Sequence, residues 1–247
     1  MLELDYKEVL KQNHVLVAGI TGSGKSVILN GIIYNGLFKS PEDFGVILCD
    51  PKKVELSRYK NLPHCIRYAS EPEDMVQAVE YAMQLTESRF NAMELCNITE
   101  WTGGDIWLII DEWADLMTTC GKEVAKTLRR LCQIGRAAHV HVLAATQYVL
   151  AKILPTDITY NFGCVIGLRT RNAQASRLII LEKGCESLPE YGHCIYCTAK
   201  GTEEMTVHMY EKEQIKEMVD YWTFRAIREQ AEPERKTLFG RIKNLFR

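Results

Sequence analysis

The sequence predicts an α/β domain built around a mainly parallel β-sheet. Two observations favour this fold class. Short apolar runs alternate along the chain with segments whose apolar residues recur at helical spacing, as they do in strand–helix units. In addition, the first four runs are almost continuously apolar and do not alternate with polar residues. That pattern is typical of parallel strands that helices cover on both faces.

Seven segments are predicted as strands. The four continuously apolar ones are 14–19, 44–50, 106–112 and 139–147. Three more follow at 162–170, 193–199 and 204–210. Because only the short connection 200–202 separates the last two, we expect them to form an antiparallel hairpin at the edge of the sheet.

Helices are predicted between these strands. The first begins at Gly24, and its buried residues are predicted to be Val27, Ile28, Ile32 and Ile33. The second begins with a capping box formed by Ser70 and Glu73, and Pro72 is tolerated in its first turn. A third helix, over 121–135, places one apolar stripe towards the core, made of Val124, Leu128, Leu131 and Ile134.

After about residue 211 the sequence becomes rich in charged, helix-forming residues. We expect a break at 231–234, where the sequence reads AEPE. The last segment, 235–247, contains five basic and no acidic residues and has the pattern of a basic amphipathic helix. Such a helix can bind a membrane surface, a protein partner or the domain itself, and the sequence leaves these alternatives open.

Composition limits the class of protein. The chain has 247 residues, a formal net charge of −2, 47% hydrophobic and 25% charged residues, which are ordinary values for a globular domain. Because the net charge is slightly negative, binding to nucleic acid would require a local basic patch. Nine scattered cysteines and the absence of a signal-peptide pattern or membrane-length apolar run predict a cytoplasmic protein. A membrane anchor on a longer parent chain stays open.

Residues 19–26 read GITGSGKS and match the phosphate-loop pattern G-x-x-x-x-G-K-[ST] at every position. The segment follows a predicted strand and opens a predicted helix, which is the context that this motif requires. We expect Lys25 to reach the β- and γ-phosphates of a nucleotide and the Ser26 hydroxyl to bind Mg²⁺. The residues predicted to contact the nucleotide are Gly19, Thr21, Gly22, Ser23, Gly24, Lys25, Ser26 and Val27.

An acidic pair ends the third predicted strand. We expect Asp111 to hold Mg²⁺ through water and Glu112 to polarise the attacking water of a nucleotide hydrolysis. Gln147 ends the fourth predicted strand, where an amide can sense the γ-phosphate or orient the water. Strands often end in polar residues at a turn, which is the simpler explanation for each position taken alone.

Five segments resemble the motor domain of the FtsK/SpoIIIE family, and the most specific of them is CDPKKVELSRYKNLPH. They are 18–26, 49–64, 109–117, 134–147 and 176–188, and the resemblance extends from about residue 14 to 212. It implies a RecA-like P-loop ATPase that uses ATP and Mg²⁺ and assembles as a homo-hexameric ring around double-stranded DNA. We therefore predict a motor domain over 1–212 and a helical tail over 213–247.

In such a ring a neighbouring subunit contributes positive charge to the site, and two positions match family arginines. The resemblance implies that Arg177 is the arginine finger and that Arg136 makes a subunit contact or acts as a secondary sensor. A surface salt bridge is the alternative for each.

The sequence departs from the family pattern at two places. Tyr148 stands where the family has an arginine, and residues 191–194 read YGHC where the family has a glycine-rich segment. The chain also lacks a counterpart of the winged-helix module that reads orienting DNA sequences. The resemblance is therefore closer to compact versions on mobile elements, such as conjugation coupling proteins.

Weaker signals have structural explanations. Cys194 and Cys197 lie three apart in a predicted strand and so point to opposite faces, which favours core packing over a metal site. His139 and His141 are better explained by burial or hydrogen bonding than by a metal. A basic pore lining or a solvated surface explains the remaining basic candidates equally well, namely Arg129, Arg130, Arg169, Arg171 and Lys200.

The function that these patterns predict is ATP-driven translocation of double-stranded DNA. DNA would be held through its phosphates, which requires cationic groups and no base recognition. Two alternatives stay open. One is an ATPase of a protein-secretion system of the type VII kind, and the other is a regulatory ATPase that does not translocate.

Overall fold

The computed structural model describes residues 2–154 and 156–245, with the backbone alone at 156–157 and 229–245. In this part of the chain nine strands form one sheet. The strands are β1 (Leu2–Glu3), β2 (Val15–Ala18), β3 (Phe44–Cys49), β4 (Cys65–Ala69), β5 (Asp105–Ile110), β6 (Val140–Thr146), β7 (Cys164–Gly167), β8 (His193–Thr198) and β9 (Gly201–Thr206).

The order of the strands is β1-β9-β8-β7-β2-β6-β5-β3-β4. All neighbouring pairs from β4 to β7 are parallel, and only the pairs β7–β8 and β8–β9 are antiparallel. The predicted α/β class with a mainly parallel sheet is therefore confirmed. The predicted hairpin is present as β8–β9, but the two-residue strand β1 pairs outside it, so the hairpin is not the edge.

Eight helices connect or flank these strands in the described residues. They are α1 (Tyr6–Val9), α2 (Lys25–Gly36), α3 (Pro72–Cys96), α4 (Trp113–Thr119), α5 (Gly121–Ile134), α6 (Thr156–Thr159), α7 (Ala173–Ile180) and α8 (Lys212–Leu245). Two short 3₁₀ turns lie at Ser57–Tyr59 and Cys185–Ser187. None of the described helices combines the length and apolar character needed to cross a bilayer.

The sheet separates two apolar cores. On one face it packs against α3, α4, α5 and α7, and on the other against α1, α2 and the first turns of α8. Successive residues of one strand alternate between the two cores, as Ile109 and Ile110 of β5 do. Coverage on both faces is why the central strands read as continuous apolar runs. Cys194 and Cys197 likewise enter opposite cores, which confirms their packing role.

Two further local predictions were wrong, and one strand was missed. Helix α3 has Glu71 as its N-cap and no side-chain capping bond, so Ser70 and Glu73 do not form a capping box, although Pro72 does occupy the first turn. Strand β4 was not predicted because it is partly exposed at the sheet edge and lacks a continuous apolar pattern. The backbone of α8 is helical through 231–234, where a break was expected.

The first turns of α8 belong to the second core. Ile215 and Trp222 are buried there, and the Trp222 indole nitrogen donates a 2.8 Å hydrogen bond to the carbonyl of Leu37 at the end of α2. The division of the chain at 212/213 stays a prediction. The amphipathic tail at 235–247 stays one too, because its side chains lie outside the described residues.

Histidines cluster at the amino-terminal edge of the sheet, on the side opposite to the phosphate loop. His139 precedes β6, and its imidazole lies 3.3 Å from the Asp105 carboxylate, while that of His141 lies 3.4 Å from the same oxygen. The His141 imidazole is hydrogen-bonded to this carboxylate and to the Asn13 carbonyl oxygen, which confirms hydrogen bonding as the explanation of His141. Across the described residues, no group of three or more His, Cys, Asp or Glu side chains is arranged to bind a metal.

We expect His14 to make the fold sensitive to acid. Its side chain is 1% exposed, and its Nδ1 accepts a 3.0 Å bond from the Val142 amide. Burial, reinforced by the nearby His141, lowers the pKa of His14 from 6.5 to about 3. Between about pH 3 and pH 6.5 the unfolded chain binds one proton more at this residue than the folded chain does. The free energy of unfolding therefore rises with pH through this window, and the contribution of His14 is complete above about pH 6.5.

The measurement is urea unfolding at pH 7.5 and pH 5.0. At about 1.4 kcal/mol per proton and pH unit, titration of His14 should lower the free energy of unfolding by about 2 kcal/mol between pH 7.5 and pH 5.0. The His14→Gln variant should lack that part of the decrease. The matched control is His208→Gln, which removes an exposed histidine far from His14 and shows whether the lost part is specific to His14. An unchanged pH dependence in His14→Gln would contradict the prediction.

Candidate active site

The predicted phosphate loop connects β2 to α2. Gly22 and Gly24 have φ angles of 82° and 103°, a left-handed conformation that side chains other than glycine rarely adopt. Gly24 is the N-cap of α2 and provides no side-chain bond, so the first amide groups of the helix stay available. Free amides at the start of a helix, together with its dipole, bind anions. The loop therefore has the geometry that its sequence motif predicts.

The loop is fixed between the ends of two neighbouring strands. The Gly19 amide donates to the Thr146 carbonyl at the end of β6, and the Ile20 amide donates a 2.9 Å bond to the Arg169 carbonyl after β7. A Cβ atom at Gly19 would lie 2.5 Å from that of Leu168, which no side chain allows. The close approach explains why glycine is required at the first position of the motif.

Lys25 and Asp111 form a buried ion pair. The Lys25 ammonium lies 2.6 Å from the Asp111 carboxylate and 2.5 Å from the backbone carbonyl oxygen of the same residue. The side chains of Lys25 and Asp111 are 5% and 1% exposed. The second carboxylate oxygen of Asp111 is buried and has no hydrogen-bond partner among the described residues. A buried, unpaired carboxylate oxygen next to a phosphate loop suits a hard cation such as Mg²⁺.

Glu112 is also fully buried, and both of its carboxylate oxygens are engaged. One accepts bonds from the Thr146 hydroxyl at 2.8 Å and from the Gln147 amide at 3.2 Å. The other lies 3.3 Å from the Lys52 ammonium. Partial burial lowers the pKa of Lys52, but the charge of Glu112 and the hydrogen bond to it outweigh this effect and raise the pKa. Lys52 is therefore cationic where it contacts Glu112.

Asp50 holds the segment that carries Lys52. Its buried carboxylate accepts bonds from the backbone amides of Leu56 and Ser57, at 3.0 and 3.1 Å. These bonds close residues 50–57 into a tight loop after β3, the strand that neighbours β5. The Asp-Pro-Lys segment thus places an ammonium group over the acidic end of β5.

Gln147 links the acidic pair to the phosphate loop. Its side-chain oxygen accepts a 2.8 Å bond from the Thr21 hydroxyl, while its backbone amide donates to the Glu112 carboxylate. Contacts therefore run from Lys52 through Glu112 and Gln147 to Thr21, across the ends of the four neighbouring strands β3, β5, β6 and β2. The structure places Gln147 where the sequence predicted, and its catalytic role stays a prediction.

Two cavities flank the phosphate loop. The larger, of about 380 Å³, lies between residues 147–150 after β6, residues 170–172 after β7, and α7. The smaller, of about 250 Å³, lies between the loop, Arg169 and residues 190–191. Arg169 and Arg171, which the sequence offered as pore candidates, therefore lie beside the phosphate loop. Their position at the end of the predicted strand 162–170 was the available signal, because ligands bind at the carboxyl ends of parallel strands, but the pairing of that strand with β2 is known only from the structure.

The remaining predicted site residues lie around this centre. Ser26 and Val27 are half-buried in the first turn of α2, so Val27 is not the fully buried residue that the sequence predicted. Arg177 is exposed on α7, whose neighbouring residues line the larger cavity. Arg136 is exposed before β6, at the opposite edge of the sheet. The roles of both arginines concern a second subunit and stay predictions.

Comparison with known proteins agrees with this geometry. The model of the FtsK/SpoIIIE family matches residues 1–106 and 104–150. DNA translocase FtsK of Agrobacterium fabrum is 31% identical over 87% of this chain, and that of Vibrio parahaemolyticus is 30% identical over 81%. The chain spans only 29% and 23% of these two relatives, which is less than a third of their length.

Two solved structures share the fold. The conjugation coupling protein TcpA of pCW3 superimposes with a TM-score of 0.75 at 21% identity, over 86% of this chain and 66% of its own. The cytoplasmic domain of the type VII secretion ATPase EccC of Thermomonospora curvata does so with 0.73 at 20% identity, over 85% and 28%. The RecA-like P-loop fold is thereby confirmed. The chain belongs to the FtsK/SpoIIIE family.

Proposed function

We propose that this chain is the motor domain of a translocase that hydrolyses ATP to move double-stranded DNA. One observation carries the proposal: a complete phosphate loop lies beside a buried glutamate, Glu112, and Gln147 contacts both of them, donating to Glu112 and accepting from Thr21 of the loop. Family membership adds the substrate, because the two relatives reported above are DNA translocases by name. A compact motor of a mobile element agrees with the similarity in fold to a conjugation coupling protein.

In the proposed reaction, the phosphates of ATP bind the amides of residues 22–26 and the Lys25 ammonium. Ser26 and Asp111 would hold Mg²⁺, whose charge stabilises the negative charge on the transferring phosphoryl group. Glu112 accepts the proton of the attacking water. Gln147, which bonds to the Thr21 hydroxyl, orients that water or senses the γ-phosphate.

We further propose that six copies form a ring and that Arg177 completes the site of the adjacent subunit. Its exposure on α7, beside the larger cavity, supports this assignment. Arg136 would contact a neighbouring subunit at the opposite edge of the sheet. An arginine supplied by another subunit is typically worth about 10³–10⁵ in turnover.

The test is the response of ATP turnover to linear duplex DNA. We expect duplex to stimulate hydrolysis several-fold and the stimulation to fade as salt rises from about 50 to 200 mM, because phosphate contacts release counterions. Movement is measured separately, as displacement of a third strand from a DNA triplex. The Glu112→Gln variant, which should bind DNA without turning over ATP, is the control for binding alone.

A protein-secretion ATPase is the second candidate, favoured by the similarity in fold to EccC. It predicts stimulation by a substrate polypeptide and indifference to DNA. Turnover that responds to neither, in a chain that sediments as a monomer with an ATP analogue and duplex, would point to a regulatory ATPase. A membrane or protein partner for the tail at 235–247 also stays a prediction.

A further inference from the structure

The smaller cavity beside the phosphate loop is lined by an aromatic side chain, Tyr191, which has no role in the proposed reaction. Its other walls are the loop residues 20–23 and Arg169, and Tyr191 and Glu190 close it. The Tyr191 side chain is 68% exposed, and its ring contacts no other aromatic ring among the described residues. Tyr191 is also one of the positions at which the sequence departs from the glycine-rich segment of the family.

The segment that carries Tyr191 is anchored on both sides. Leu188 is buried in the first core, and the Gly192 carbonyl accepts a 2.9 Å bond from the Val207 amide. Gly192 has a φ of 75°, so the chain turns sharply directly after Tyr191. The tyrosine is thus presented towards the cavity by a fixed turn and not by a free loop.

Sheet order determines which end of a bound nucleotide reaches this cavity. Glu112, where the terminal phosphate must react, follows β5 on one side of β2. The cavity lies on the other side of β2, where β7 ends and β8 begins. A nucleotide whose terminal phosphate faces Glu112 and whose phosphate chain follows the loop therefore directs its base away from β5, towards β8.

We propose that Tyr191 stacks on the base of the bound nucleotide and that this cavity is the base subsite. The inference rests on the proposed function. A volume of about 250 Å³ is below the roughly 300–1,000 Å³ of pockets that enclose drug-sized ligands, so it suits a base with part of its ribose. The Arg169 guanidinium adds a cationic group that can lie against the base, because arginine favours aromatic faces.

The experiment compares two ligands that share phosphates and differ in the base. Affinities of ATP and of inorganic tripolyphosphate are measured by calorimetry for the wild type and for Tyr191→Ala, Tyr191→Phe and Tyr148→Ala. Loss of one base–aromatic stack should weaken ATP binding about 5- to 100-fold. We expect this loss in Tyr191→Ala only, with tripolyphosphate binding unchanged within about twofold and Tyr191→Phe close to the wild type.

Tyr148 is the matched control because it is an exposed tyrosine in the other cavity beside the same loop. If Tyr148→Ala loses ATP affinity and Tyr191→Ala does not, the base lies in the larger cavity and the inference is wrong. Equal weakening of both ligands by Tyr191→Ala would also overturn it. If the wild type binds neither ligand, the proposed function itself fails. Cross-linking with 8-azido-ATP, which should label the peptide around residue 191, tests the same contact without a substitution.

Discussion

Replacing Glu112 with glutamine should lower ATP turnover by at least about 100-fold and leave ATP binding close to that of the wild type. The amide has the shape of the carboxylate and can still accept the bonds from Thr146 and Gln147. It cannot accept the proton of the attacking water. Loss of the charge leaves Lys52 without its ion pair, but 42% of that side chain is exposed, so water can solvate the ammonium.

The measurement combines steady-state hydrolysis with the identity of the retained nucleotide. Glu112→Gln should retain ATP after rapid gel filtration, whereas the wild type should retain ADP. The matched control, Glu123→Gln, changes an exposed carboxylate on α5 and should behave as the wild type. Wild-type turnover in Glu112→Gln would show that another group is the base.

The second large effect is expected for Lys25→Ala, which should lose measurable nucleotide binding because the ammonium is the only cationic side chain within the phosphate-loop motif. The same substitution leaves the buried Asp111 carboxylate without its ion pair. Removing one partner of a buried pair typically costs about 3–5 kcal/mol of folding stability. Lost binding could therefore be lost folding, and the two effects have to be separated.

A double variant, Lys25→Ala with Asp111→Asn, separates them. Asparagine removes the unpaired charge, so urea unfolding should recover much of the stability lost in the single variant, while calorimetry should still detect no ATP binding. The single variant Asp111→Asn is the control for loss of the carboxylate alone. Nucleotide binding at wild-type strength in the stable double variant would contradict the role of Lys25.

The parts of this site that are formed by residues next to each other along the chain were predictable from the sequence. The phosphate loop is one short segment whose glycines, lysine and serine each have a local reason. The acidic pair was recognisable because a run of apolar residues ends in Asp111 and Glu112. Both predictions depend only on neighbours along the chain, and the structure places them together at one edge of the sheet.

Contacts between distant segments were not predictable in the same way. Lys52 follows a predicted strand in the sequence, but its ion pair with Glu112 depends on β3 and β5 being adjacent strands. The position of Arg169 beside the phosphate loop likewise depends on β7 pairing with β2. Strand β4 was missed because an edge strand with partial exposure lacks the apolar continuity of a buried one.

Helix α2 connects the phosphate loop to the far side of the domain. It begins at Lys25 and ends at Gly36, next to the carbonyl that receives the Trp222 indole. Twelve residues make a rod about 18 Å long. Tilting such a rod by about 5° at one end displaces the other by roughly 1.5 Å. A tilt of α2 at the phosphate loop would therefore shift the surface against which the first turns of α8 pack.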